Sequence, residues 1–446
     1  MSFAPTCRRR NQISFLAAAA CITFAGPAAL SQEPADCAGE SCVAVARGFR
    51  AFHDPAPRGL AGNGRSCATC HVPEDRFQLS PANVEARFQL LNIRRQFDPQ
   101  ADDPLFRPID ADDFRSSGDQ SSDYTKLRRF ALVRVTLPLP GNVKLIDAAT
   151  NQPSQETSVD VWRMVPQLGE IALTGPDGRT PMTPRGPNLA GGYQLDGRMT
   201  SLQDQARGAL QGHGEIKGEI PDSLLDDLAS FERTIFSNSL TRALSAAVRA
   251  GVTPLPSADP PLTDLEERGK KVFDRACAHC HGGPGQSTPQ PPVAVRYHDI
   301  QSACPRPVDT QTPPRFMFAQ CPPELDALAR TYEFTLASGD KIRRSSSDPG
   351  RALLTGFVGG PPPQDDWQKF DNPSLRALRF TAPYFHNNSA ETLEEVVDHY
   401  IEFFKYAQAQ QAPGVFPPVL SSDGATFDRI PKPEERAALL AYLRRL

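Results

Sequence analysis

The chain has 446 residues, a net charge of −4 and a hydrophobic content of 39%. The near-balanced charge gives no basis for nucleic-acid binding or electrostatic adhesion to a membrane, and the length suits two or three domains. Its 44 prolines, about twice the average usage, argue for long ordered loops and against a helix-rich bundle.

At the N-terminus, Arg8-Arg9-Arg10 precedes a short apolar run from Ile13 to Phe24 and the small-x-small triplet Ala29-Leu30-Ser31. That order is the order of a cleaved export signal, residues 1–31. The apolar run is too short to span a bilayer, so no membrane span is expected after cleavage. Ala19-Ala20-Cys21 matches a lipoprotein cleavage site only weakly, because position 18 is Ala where Leu is usual.

Residues 32–250 form the first expected domain. Arg47-Gly48, with Phe52 five positions after the Arg, reads as an amphipathic leading helix. Cys67-Ala-Thr-Cys70-His71 follows. Two thiols at this spacing can add across the two vinyl groups of one haem, and the adjacent histidine then reaches the iron as an axial ligand. A thioredoxin-like pair or half a zinc site also uses Cys-x-x-Cys, but neither needs the histidine. Between Asp98 and Pro184 lie two alternating runs, Phe130–Leu137 and Val159–Val165, separated by Pro-Gly and Asn-Gln-Pro turns. They predict a small β-hairpin insertion that either caps a haem edge or carries substrate contacts. Apolar spacing predicts a helix from Ser223 to Arg233.

A proline-stiffened stretch, Gly251 to Pro261, lies within an expected linker at 251–263. The second expected domain, 264–446, repeats the pattern of the first: Arg268-Gly269 with Phe273, then Cys277-Ala-His-Cys280-His281, and a final helix from Glu434 to Leu446. Gly282 to Pro323 is a proline-rich loop. The expected fold class is mainly α: two cytochrome c-like haem domains from an internal duplication, with the hairpin inserted in the first. Two covalently bound haem c groups are expected, and two irons imply electron transfer.

Haem attachment uses four of the ten cysteines, and Cys7 and Cys21 fall in the export signal. The rest pair as Cys37–Cys42 and Cys304–Cys321, which suits an oxidising compartment, the bacterial periplasm; isolated buried thiols are the alternative. Each motif fixes only one face of its iron, and the opposite face decides between electron shuttling and small-molecule binding. Of the eight histidines, none lies between His71 and His213. That favours an open first haem, the alternative being closure by His53 or His213.

The segment Thr381-Ala-Pro-Tyr-Phe-His-Asn-Asn-Ser-Ala-Glu-Thr-Leu-Glu-Glu-Val-Val-Asp-His-Tyr400 closely resembles the signature of bacterial dihaem cytochrome c peroxidases and the related MauG enzymes. So does Leu195-Asp-Gly-Arg-Met-Thr-Ser-Leu-Gln-Asp-Gln-Ala206, followed by Glu215. With both haem motifs the resemblance runs from about residue 43 to the C-terminus, the Asp98–Pro184 insertion apart. It implies a peroxide site at the N-terminal haem and a six-coordinate electron reservoir at the C-terminal haem. In the family, the residue fourteen after the histidine of Pro-Tyr-Phe-His is the distal ligand of the C-terminal haem, methionine in the peroxidases and tyrosine in the MauG-like branch. Here it is Tyr400, and the only methionine of the second half is Met317. A thioether raises the haem potential whereas a phenolate stabilises oxidised iron, so the substitution moves the expected chemistry from scavenging peroxide towards storing oxidising power. Neighbouring His399 is the alternative ligand.

Gln205 and Glu215, ten positions apart, match the distal-pocket glutamine and acid of the family. A partly desolvated carboxylate there can take the proton from the inner oxygen of peroxide and give it to the outer one; a solvated loop carboxylate is the plain alternative for Glu215. His213 is an unassigned polar neighbour able to tune that acid. Three departures stand out. Leu195 occupies the position of the family's inter-haem tryptophan, and the nearest aromatic is Tyr193. The family's calcium uses an asparagine near Gly186 with the backbone at Thr381 and Pro383. Gly186 has no side-chain oxygen, which leaves one Ca2+ open, with Asn188 as the substitute donor. Asn388 replaces a glycine, and Asn tolerates a left-handed backbone.

Together these readings describe a periplasmic dihaem c-type oxidoreductase. Hydrogen peroxide binds the open haem held by His71, with Glu215 and Gln205 catalytic, and the haem held by His281 and Tyr400 shares the oxidising equivalents. A redox protein or protein substrate donates electrons. A cytochrome c peroxidase supplied by a mono-haem cytochrome, and a non-catalytic electron-transfer cytochrome, are the alternatives.

Overall fold

The computed structural model describes residues 37–108, 124–174, 192–287, 296–303, 322–359, 365–409 and 431–446. The expected export signal, the Cys304–Cys321 pairing, Gly186 and Asn188 lie outside them. The first half runs through α1 (Cys42–His53), α2 (Cys67–Cys70), α3 (Pro81–Arg95) and α4 (Thr125–Phe130). Strands β1 (Leu132–Pro138), β2 (Val143–Ile146) and β3 (Ser158–Met164) come next, followed by α5 (Ile171–Thr174), α6 (Leu202–Gly212), α7 (Asp222–Glu232) and α8 (Ser239–Arg249). The second half contains α9 (Asp264–Ala276), β4 (Tyr297–His298), α10 (Pro323–Asp326), β5 (Arg330–Thr335), β6 (Lys341–Ser346), α11 (Ala352–Thr355), β7 (Phe370–Asp371), α12 (Leu393–Ala409) and α13 (Pro433–Leu443).

Each half is organised by a leading helix crossing a later one. In the first, α1 starts at Ser41, whose side chain accepts the Ala44 N–H, and the Cys37–Cys42 disulfide ties the preceding turn to it. Val45 and Phe52 are fully buried, the latter with its ring 5.2 Å from that of Phe231 on α7. In the second half, Thr263 and Glu266 form a capping box that starts α9. Phe273 is buried with its ring 5.3 Å from that of Tyr442 on α13. Both crossings sit on a glycine. A Cβ on Gly48 would fall on the Asp227 carbonyl oxygen, and one on Gly269 would fall on the Ala438 carbonyl oxygen. Absence of a side chain there is what lets the backbones touch. Ion pairs flank each crossing, Arg47 and Arg58 on the buried Asp227, and Arg275 on Glu435.

The insertion is more than a hairpin. The two predicted runs do pair, as antiparallel β1 and β3 in register Leu132↔Met164 to Pro138↔Ser158. The chain between them, however, leaves to form β2, which pairs with β5 of the second half; β5 pairs with β6, giving the order β2-β5-β6. The reason is burial: Val143 and Leu145 point into a cluster with Tyr332, Phe334 and Trp367, an apolar face no isolated hairpin could cover. Beside this cluster, buried Arg163 of β3 binds Asp348 through Nε and Nη2 at 2.6 and 2.9 Å, and Asp196 through Nη1 at 2.6 Å. Arg198 adds a second cation to Asp196 at 2.6 Å. Burial opposes ionisation of these groups, but the mutual charges hold Arg163 protonated and keep Asp196 below the usual carboxylate range.

Two substitutions test this frame. Gly→Ala at an open helix position gains about 0.5–1 kcal/mol; Gly48→Ala is expected instead to cost about 1–3 kcal/mol in chemical denaturation, because the methyl has no room. Arg163→Ala leaves buried carboxylates uncompensated and is expected to cost about 3–5 kcal/mol in the same measurement.

Candidate functional site

Both Cys-x-x-Cys-His motifs open into one cavity of about 800 Å³. Cys67, Cys70 and His71 line it from the first half, and Cys277, Cys280 and His281 from the second. None of the four cysteines is in a disulfide. Burial pushes the Cys67 and Cys277 thiols up to about 12, so they are neutral. His71 Nδ1 lies 2.8 Å from the Phe77 carbonyl and His281 Nδ1 lies 3.3 Å from the Pro373 carbonyl. Such a bond fixes the tautomer, presenting the unprotonated Nε2 as a metal ligand. Burial lowers both imidazoles to about 4, which keeps them neutral and able to ligate. A shared cavity, two thiols at each end and two oriented imidazoles fit two covalently attached haems.

The walls facing the two motifs differ. α6 lines the first-motif side with Leu202, Gln205, Ala206, Ala209 and Leu210 along one face, and His213 at its C-terminal cap continues the row. α12 begins with Thr392 and Glu395 bonded reciprocally, at 3.1 and 3.2 Å. It lines the second-motif side with Val396, Val397, Tyr400, Phe403 and Phe404. Tyr400 is the one hydroxyl in that row. Burial, followed by the nearby Cys280 and Cys277, raises its phenol above the ordinary value. His399, the alternative ligand, does not line the cavity; its Nε2 lies 2.8 Å from the Ile300 carbonyl. His53 likewise points elsewhere, with Nδ1 2.8 Å from the Phe49 carbonyl and its ring among Phe49, Phe52 and Phe231.

Of the expected acid–base pair, Gln205 lines the cavity and Glu215 does not. Glu215 sits in a left-handed backbone conformation (φ 51°), and its Oε2 accepts the Asn63 side-chain amide at 3.0 Å. The residue that faces the cavity from this loop is His213. Leu195 also lines the cavity, together with the aromatics Tyr193, Tyr297, Phe370 and Trp367. Asn388 takes φ 52°, the left-handed turn its position requires. Thr381 and Pro383 line the cavity, and no cluster of three or more His, Cys, Asp or Glu side chains suited to a metal ion occurs among the described residues.

Two lining residues were given no role by the sequence. Glu232 is 4% exposed, burial pushes its carboxyl up to about 8, and its Oε2 has no hydrogen-bond partner among the described residues. Its signal was available: it occupies an apolar-stripe position of α7, four residues after Leu228 and seven after Leu225. His386 stacks on Phe370 at 3.9 Å, is held near 4 by burial, and has an unpartnered Nε2 among the described residues.

Residues 266–343 match the cytochrome c family. A 35-residue stretch is 57% identical to "Cytochrome-c peroxidase IdrP2" of Denitromonas iodatirespirans, covering 8% of this chain and 10% of that one. Another of 38 residues is 50% identical to "Photosystem II extrinsic protein V" of Synechococcus sp. (strain JA-3-3Ab), covering 8% and 21%. The chain thus spans about a tenth and a fifth of these curated relatives. Among solved structures, a MauG-like protein associated with microbial copper homeostasis aligns over 93% of this chain and 90% of its own, at 18% identity and a TM-score of 0.41. The diheme peroxidase BthA from Burkholderia thailandensis E264 aligns over 91% and 86%, at 16% identity and a TM-score of 0.40. The family match lies in the second half and takes in Cys277, Cys280 and His281.

Proposed function

We propose that the chain is an exported, periplasmic dihaem c-type oxidoreductase that consumes hydrogen peroxide at an open N-terminal haem. In this reading a C-terminal haem closed by Tyr400 stores oxidising equivalents, in the MauG-like manner. The observation that carries the reading is the pair of unlike walls in one cavity, amide- and imidazole-bearing opposite the first motif, a lone phenol opposite the second. Bound haem supplies a redox-active iron on which peroxide can be cleaved. Cys67 and Cys70 would anchor the first haem and His71 would ligate its iron, the imidazole held by the Phe77 carbonyl. Gln205, which lines the cavity, would orient peroxide through its amide, while Glu215 stands behind the wall on the Asn63 side-chain amide. Cys277, Cys280 and His281 would hold the second haem. Tyr400 would exclude peroxide there, and as an iron-bound phenolate it would favour the oxidised state. The Cys37–Cys42 disulfide supports an oxidising compartment, and no helix among the described residues is long and apolar enough to cross a membrane. The electron donor is a redox protein or an oxidisable side chain of a protein substrate.

The ferric holoprotein is expected to show one high-spin and one low-spin haem in its optical and EPR spectra; two low-spin haems would leave only electron transfer. Tyr400→Phe should remove the low-spin signal, whereas its persistence would assign the ligand elsewhere. Peroxide added without any reductant should perturb both haem spectra. A requirement for prior one-electron reduction would favour a cytochrome c peroxidase fed by a mono-haem cytochrome.

A further inference from the structure

The loop that leads into the first haem motif grips the end of α6. Asn63 donates from Nδ2 to the His213 carbonyl at 2.8 Å and from its backbone N–H to the Gly214 carbonyl at 2.9 Å. Arg65, 4% exposed, donates from Nη1 to the same His213 carbonyl at 3.3 Å. Both residues lie just before Cys67, so the position of His213 is tied by a short covalent path to the point where the first haem would attach. Gly62 permits the approach, since a Cβ there would strike the Gly214 carbonyl oxygen. His213 and Gln205 are the polar side chains that α6 and its cap turn to the cavity. Of the two, only the imidazole carries a ring nitrogen that can accept and return a proton, which an amide does not. His213 and His71 line the same cavity. Glu215 stands behind, its carboxylate on the same Asn63 amide that holds the His213 carbonyl.

We propose that His213 is the catalytic residue that meets hydrogen peroxide at the first haem, and that Glu215 is a positioning residue acting through Asn63. The inference rests on the open first haem proposed above and reassigns its proton-handling group. The imidazole takes the proton from the inner peroxide oxygen and delivers it to the outer one. The O–O bond breaks, its electron pair leaves with the outer oxygen, and that oxygen departs as water. Over a turnover, peroxide takes two electrons from the haems and two protons and becomes two waters, the donor restoring the electrons.

The test uses holoprotein carrying His213→Gln, His213→Ala or Glu215→Gln. His213→Gln is expected to keep one high-spin ferric haem and to slow the peroxide-dependent spectral change by about 10²- to 10⁴-fold. It should also slow binding of cyanide, which enters as HCN and must lose a proton. Imidazole added to His213→Ala should restore part of both rates, and Glu215→Gln should lose less than His213→Gln. A wild-type rate in His213→Gln alongside a large loss in Glu215→Gln would overturn the proposal. So would a low-spin first haem that turns high-spin when His213 is replaced, since His213 would then be an iron ligand. The cyanide arm separates the two readings: a wild type inert to peroxide whose cyanide binding still depends on His213 sinks the peroxidase reading and keeps His213 as the proton acceptor.

Discussion

The structure turns on a guanidinium that cannot be left alone. Arg163 is 3% exposed, and an unpaired charge at that depth would cost several kcal/mol. Its partners come from different parts of the chain: Asp196 precedes α6, and Asp348 follows β6. Satisfying the one cation therefore fixes three segments against one another, the inserted strand, the wall of the first site and the second half. Neighbouring backbone bonds extend the clasp. The Met164 N–H donates to the His386 carbonyl at 2.8 Å, and Asn388 Nδ2 donates to the Phe130 carbonyl at 2.7 Å. The turn before α12, and with it the start of the Tyr400 wall, is thus held by the insertion.

Around this clasp the two halves are built from similar parts. Each has a glycine-mediated helix crossing, a buried aromatic pair at the crossing, and a Cys-x-x-Cys-His turn after the leading helix. Close crossing costs conformational freedom at Gly48 and Gly269 but brings each leading helix and its following thiols onto a rigid support. Similar supports carry dissimilar walls. Helix α6 brings an amide and ends on an imidazole, whereas α12 brings a phenol amid Val and Phe. The local chemistry of the two irons would differ because of side chains that face the motifs, not because of the motifs.

Chemistry-bearing groups in this cavity are kept in line by backbone contacts more than by charge. His71 and His281 are oriented by carbonyls, His399 is turned away by one, and His213 is held through its own carbonyl by Asn63 and Arg65. Glu232 is the exception, a carboxyl held protonated by burial alone at the end of α7. Leu195 shares the cavity wall with the aromatics Tyr193, Tyr297, Phe370 and Trp367.

Much was legible in the linear order because the relevant physics is local. Thiol spacing and the following histidine suffice to point to haem attachment, and the apolar spacing to the helices α7 and α13; Tyr400 was singled out by the resemblance alone, with His399 as the alternative. The β1–β3 pairing followed from alternation, and the left-handed turn at Asn388 from tolerance of positive φ. What the order of residues left undecided depends on partners far along the chain. β2 joins β5 because its apolar face needs Tyr332, Phe334 and Trp367, all far along the chain in the second half. Arg163 reads as an ordinary strand residue until Asp348 closes on it. His213 and Glu215 are two positions apart, and which of them faces the cavity is set by Asn63, about 150 residues upstream. Covalent spacing determined which thiols and histidines are suited to hold haem; only long-range packing determined what each motif would face, because burial and hydrogen-bond partnership belong to the folded chain and not to any segment of it.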